Sequence, residues 1–185
     1  MNVIYTRTDD RFITLRNRTK IANDNHAKLF ISIHVNSIDN SPKTKGFETY
    51  FLTFDKSEDA KNEVEKRENS VVPDYETNIE NPEVINKINA EILHYKYLEG
   101  SKELAGLIQE ELEKMFNKKL NRGVRQAGFQ VLWGATMPNV LVEVGFITNA
   151  GEMNNLLSSQ YQTKIAEGIA NAIIQYKKQH NDDTF

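Results

Sequence analysis

The chain contains no cysteine. Disulfides and thiolate metal sites are therefore excluded, and any metal would have to be held by histidine and carboxylate side chains. Long apolar runs are missing too. No stretch approaches the roughly 18 apolar residues of a membrane span, and the amino-terminal MNVIYTRTDDRF holds no apolar signal core. Positive charge is not in excess: 23 Lys and Arg against 26 Asp and Glu give a net charge of -3. That balance argues against a nucleic-acid binder, which needs a basic face to neutralise phosphates. Neither GxGxxG nor a P-loop occurs, which lowers a nucleotide-binding reading. The absence of a GxSxG elbow, with that of cysteine, removes the common nucleophile motifs. No repeat or low-complexity tract is visible.

What is present is a chain of 185 residues, 39% hydrophobic, long enough for one well-formed core. Val3 to Thr6 reads as the tail of a strand. Thr14 is an N-cap candidate for a helix reaching His26, with Leu15, Arg18 and Ala22 on one face. Leu29 to Val35 is dense in β-formers, as in a strand buried on both faces, and Gly46 to Leu52 reads as another strand. From 53 to 100 the composition turns to Lys and Glu, broken by Pro73 and Pro82. Here a surface helix capped by Ser57 and reaching Asn69 is expected, with a second from Glu83 to Tyr97 carrying Ile85, Ile88, Ile92 and Leu93.

Ser101 to Asn117 is the clearest helix, with Leu104, Leu107, Ile108, Leu112 and Met115 in one stripe. Asn121 to Gly128 reads as a turn-rich stretch, and Phe129 to Trp133 and Val140 to Val144 as strands. Asn149 with Glu152 resembles a helix cap, ahead of a last helix lined by Tyr161, Ile165, Ile169, Ala172 and Tyr176. Strands alternating with helices predict an α/β fold: a single layered domain over 1–178, with a mostly parallel twisted sheet, helices on both faces, and a polar tail at 179–185. In such folds sites collect at the carboxyl ends of strands, where His34 and Glu143 fall.

A lone histidine at a strand end is commonly a satisfied structural residue. Glu143, between Val142 and Val144 in an apolar run, is harder to account for: it needs a cation, a hydrogen-bond donor or a metal-bound water nearby. Joined, the two fit zinc hydrolysis, with His34 as ligand and a carboxylate as base. From the residues alone, this is one reading among several.

The runs YTRTDD, LRNRTKIAN, LFISIHVNS, GFETYFL, NRGVRQAGFQVL and MPNVLVEVGFITN, in this order, resemble the zinc-dependent N-acetylmuramoyl-L-alanine amidases of the family-3 type, bacterial cell-wall hydrolases. The resemblance extends from Val3 to Lys178. It implies His34 as a zinc ligand and Glu143 as the catalytic glutamate. The implied reaction is hydrolysis of the amide between N-acetylmuramic acid and the L-alanine of the peptidoglycan stem peptide by zinc-activated water. The acidic insertion at 53–100, with KRENS at Lys66 to Ser70, is similar to that of the cell-division members, where an inserted helix blocks the zinc until an activator protein displaces it. Glu58, Glu63 or Glu68 would then close on the metal. A cell-envelope location, periplasmic or extracellular, is implied as well.

The family's Gly-His-Gly-Gly motif and the glutamate ligand downstream of it have no counterpart here, and His26, His94 and His180 do not match the positions of ligands. The resemblance therefore implies an amino-terminally shortened form whose other two ligands would precede Met1. The alternative is a catalytically inactive relative that binds peptidoglycan or a cell-division partner.

Overall fold

The computed structural model describes residues 1–39, 41–54, 63–70 and 82–180. Helix α1 (Leu15–Asp24) begins where Thr14 Oγ1 accepts a hydrogen bond from the Asn17 amide at 3.3 Å, satisfying one of the free donors of the first turn. It buries Leu15, Thr19 and Ala22, while Arg18 is half-buried. Strand β1 (Phe30–Asn36) follows, then β2 (Phe47–Leu52), helix α2 (Glu63–Asn69), helix α3 (Pro82–Met115), strand β3 (Asn121–Ala127), strand β4 (Asn139–Phe146), and helices α4 (Ala150–Leu156) and α5 (Ser159–Gln179).

The four strands form one sheet in the order β1-β4-β2-β3. Strands β1 and β4 run parallel, as do β2 and β3, but β2 runs antiparallel to β4. The fold is thus α/β with a mixed sheet in which two of the three strand pairs are parallel, in keeping with the mostly parallel sheet expected. The connection from Asn36 to Phe47 carries no helix among the described residues, and without a crossover helix the chain returns in the opposite direction. The consequence for the site is direct, since the amino ends of β2 and β3 lie beside the carboxyl ends of β1 and β4.

Helices cover both faces. On one, Leu104, Ile108 and Leu112 of α3 and Ile165, Ile169 and Ala172 of α5 pack on Val140, Val142 and Val144. Truncating a fully buried Leu104 or Ile108 to alanine costs about 2–5 kcal/mol. On the other, α1, Val64 of α2 and the 129–137 segment pack on Phe30, Tyr50, Leu52 and Leu141. The period-two alternation puts Ser32, His34, Glu48 and Glu143 on this second face.

Several local expectations change. No ladder includes Val3 to Thr6 among the described residues, and the segment is largely exposed. Strand β1 is an edge strand, covered on one face only up to Ile31, so Ile33 and Val35 are exposed. The two helices expected over 83–117 are one continuous helix, because Gly100 and Ser101 sit within the ladder and the Ser101 hydroxyl bonds back to Tyr97 O. The turn-rich 121–128 segment is a strand, held by the ladder to β2, while Phe129 to Trp133 contains a 3-10 turn at Gln130–Leu132 instead of a strand. Phe129, Val131 and Leu132 all enter the same cluster, which a helical turn permits and a strand does not. Asn149 does cap α4, but the Glu152 carboxylate reaches the Gly46 and Phe146 amides instead of closing a capping box. Ser57, Glu58 and the side chains of Glu63, Ile85 and Ile88 lie outside the described residues. No helix among the described residues is long and apolar enough to cross a membrane.

Candidate active site

His34 and Glu143 are partners in the parallel ladder of β1 and β4, and Glu48 is the partner of Glu143 on the β2 side. The two residues singled out in the sequence are therefore neighbours on one face. Strand β4 is buried along its whole length, which leaves Glu143 fully enclosed. Both of its carboxylate oxygens are buried without a hydrogen-bond partner among the described residues. Burial, reinforced by the negative charge of Glu68, offset in part by Arg67 and reinforced again by Glu48, pushes its pKa up to about 8. A buried carboxyl without partners is costly, and marks a group held ready for a proton or a cation.

Helix α2 supplies the third member. Glu68 Oε2 lies 2.7 Å from His34 Nδ1, and Ser32 Oγ lies 3.0 Å from His34 Nε2, so both ring nitrogens are oriented. Burial would raise the Glu68 carboxyl, but the hydrogen bond and charge of His34, with Arg67, hold it below the usual range. Arg67 donates to Asn36 Oδ1 at 2.9 Å and to Ser37 O. Three further hydrogen bonds fasten α2 to the 128–130 turn. Asn69 donates to Gly128 O at 3.0 Å and accepts from the Gln130 amide at 2.9 Å, and Glu65 accepts from the Gly128 amide at 2.9 Å.

His34, Glu68 and Glu143 each offer an atom such that all three lie within 4.8 Å of one another. One imidazole and two carboxylates suit a divalent cation of the zinc type. The partnerless oxygens of Glu143 are consistent with a charge that the polypeptide does not provide. The donor set fits a metal, with His34 as the imidazole in it. The remaining histidines are elsewhere: His26 follows α1 at φ +52°, His94 packs edge-on against Phe54 at 5.4 Å, and His180 pairs with Glu103 at 2.8 Å.

Glu48, Arg122 and Arg125 were not singled out in the sequence. Glu48 accepts from Asn36 Nδ2 at 2.9 Å and Tyr50 OH at 2.7 Å through Oε1, and faces Arg122 Nε at 2.9 Å and Arg125 Nε at 3.2 Å through Oε2. Its signal was the same as that of Glu143, a carboxylate within an apolar strand, here GFETYFL.

Comparison with known proteins identifies a family. A family profile described as N-acetylmuramoyl-L-alanine amidase matches residues 1–175. The uncharacterized protein YqiI of Bacillus subtilis (strain 168) is 34% identical over 178 residues, covering 96% of this chain and 65% of its own length. N-acetylmuramoyl-L-alanine amidase AmiA of Salmonella typhimurium is 33% identical over 175 residues, covering 92% of this chain and 59% of AmiA. The chain thus spans about three fifths of the length of these curated relatives. The crystal structure of N-acetylmuramoyl-L-alanine amidase from Clostridium difficile 630 superposes with a TM-score of 0.67 at 27% identity, covering 95% of this chain and 71% of that one. A family profile over nearly the whole chain and an amidase relative at 33% identity, in a fold shared with a solved amidase, place the chain in the N-acetylmuramoyl-L-alanine amidase family.

Proposed function

We propose that this chain carries the hydrolytic centre of a peptidoglycan amidase that cuts the amide between N-acetylmuramic acid and the L-alanine of the stem peptide. The observation that supports it most is the enclosed Glu143 carboxyl, partnerless among the described residues and beside His34. In the metal-free chain burial raises the pKa of Glu143 to about 8, so this enclosed carboxyl is a stronger proton acceptor than an exposed one. It takes a proton from water as the water oxygen bonds to the lactyl carbonyl carbon. As the C–N bond breaks, it returns that proton to the alanine nitrogen, leaving a carboxylate on the sugar and a free amine on the peptide. His34 Nδ1, with its ring fixed through Nε2 by Ser32, would hold zinc in the active state, and Glu68 would join it there only while α2 is closed. Zinc bound there supplies Lewis acidity toward the carbonyl and lowers the pKa of water.

In the same reading α2 is a plug. Glu68 occupies the nitrogen of His34 that faces the cluster, and the helix is fastened largely by polar contacts, with Val64 as its fully buried apolar anchor. Such contacts exchange readily with water or with a partner, which suits release by an activator protein at the cell envelope during division. The test is release of stem peptide from purified cell wall by the protein with added zinc. Release that disappears in Glu143→Gln is expected, and no release under any metal loading, from the chain or from its Glu68→Ala variant, would sink the proposal.

A second reading, an inactive relative that binds peptidoglycan or a division partner, is favoured by one observation. His34 is the sole imidazole of the cluster among the described residues, where catalytic zinc commonly has three protein ligands. Binding to cell wall without cleavage, in protein shown to hold zinc, would support it.

A further inference from the structure

Arg122 and Arg125 stand on the face of the sheet that carries Glu143, and the hydrolysis described above does not use them. They are three residues apart, a spacing that in a regular strand puts side chains on opposite faces. The ladder shows why they share one. Between the pairs Phe47 with Asn121 and Thr49 with Val124, β3 holds one residue more than β2. This is a bulge, and Gly123 within it takes φ +87°, in the region where glycine is at ease. Bulges of this kind re-aim side chains.

Both guanidiniums then reach the same oxygen, Glu48 Oε2. The other oxygen of Glu48 is held by Asn36 and Tyr50, so one buried and fully satisfied carboxylate anchors two cations. Of Glu48 and the two guanidiniums taken together one positive charge is left over, with Glu152 within electrostatic reach of Arg122. The arginine side chains are 29% and 46% exposed, and among the described residues their terminal nitrogens have no hydrogen-bond partner. The Arg122 guanidinium also lies over the Phe146 ring at 5.0 Å, which limits its swing.

The geometry points to Arg122 and Arg125 as a subsite that takes a free carboxylate of the peptide substrate, two or three residues beyond the bond that Glu143 attacks. Glu48 is the cross-strand partner of Glu143, and β3 lies one strand further on. Two strand spacings are about 10 Å, which an extended peptide covers in about three residues at roughly 3.3 Å each. The forked guanidinium donors match a carboxylate, and an amide in its place removes both the charge and half of the acceptors.

This rests on the amidase reading, so binding and cleavage are measured separately. Protein carrying both Glu68→Ala, so that α2 no longer closes the site, and Glu143→Gln is titrated calorimetrically with a muramoyl tripeptide whose second residue bears a free α-carboxylate, and with the same peptide amidated there. The acid is expected to bind about tenfold more tightly, the worth of one charge-assisted contact. Arg125→Gln should abolish the difference, and Arg125→Lys should keep part of it. Equal affinities for acid and amide overturn the subsite, as does binding of neither. A preference that survives Arg125→Gln, or a loss of both forms alike with an unchanged melting temperature, also overturns it. Glu68→Ala protein that prefers the acid but releases no peptide from cell wall keeps the subsite and removes the amidase reading; cleavage without preference does the reverse.

Discussion

Glu48 and Glu143 are direct cross-strand neighbours with opposite surroundings: the Glu48 carboxylate faces four partners, and Glu143 has none among the described residues. Like charges placed opposite in a sheet repel. Two arginines offset that charge on Glu48, whereas burial first, then the charge of Glu68 and in the least degree that of Glu48, raise the proton affinity of Glu143.

For Glu143 the sign of the pH dependence follows directly. The carboxyl titrates near 4.5 when unfolded and near 8 when folded, so the folded state holds its proton more tightly. Stability is at its fullest below pH 4.5, declines as pH rises from there to about 8, and is level beyond. Metal-free Glu143→Gln should therefore match wild type in melting temperature at pH 4 and exceed it at pH 8.5. If the proposal for the reaction holds, its turnover falls about 10²–10⁴-fold. Parallel melting curves for the two proteins across that range would contradict the raised pKa.

Glu68→Ala removes the contact with His34 while leaving the Asn69 and Glu65 fastenings of α2 in place. Amidase activity should rise about tenfold, the effect of about 1.4 kcal/mol on an open and closed equilibrium. Because the Glu68 carboxyl is held below its usual 4.5, its contact stabilises the closed form above that pH and is lost as acid protonates it. Activity that does not change in the variant would leave α2 a surface helix without a gating role.

Zinc binding can be followed without any assay of activity. Saturating zinc should raise the melting temperature of the chelator-treated protein by about 5 °C or more. His34→Ala should cancel that rise. A shift of the same size in the variant would locate the metal away from His34.

Two glycines separate a strained backbone from a crowded one. Gly46, at φ +110°, would place a Cβ 2.2 Å from Leu120 O, whereas Gly123, at φ +87°, has open space there. Gly123→Ala should cost about 1 kcal/mol, from the left-handed backbone alone. Gly46→Ala should cost several times more, or fail to fold, since backbone atoms would have to move. Urea denaturation compares them, and equal losses would show that crowding is relieved cheaply.

Much of this was legible in the residue order. Val140 to Val144 could only be a buried strand, and a lone Glu143 within it had to be explained. His34 at the end of its own strand, and the motif runs shared with an amidase family, led to the same place. The helix stripe of Leu104, Ile108 and Leu112 is likewise local information, because each turn of an α-helix repeats every 3.6 residues. What the order of residues left open depends on pairing between distant segments. The direction of β2 relative to β4 follows from which strands become neighbours, and that reversal brings Glu48 beside Glu143. Asn121 to Ala127 looks like turns until the edge of β2 binds it, and the odd spacing of Arg122 and Arg125 gains meaning only through the bulge in that ladder. Of three candidate glutamates in the insertion, Glu68 meets His34, and the hydrogen bonds of Asn69 and Glu65 set where α2 lies. Local propensity decides what each segment can be, whereas long-range hydrogen bonding and burial decide which groups share a site.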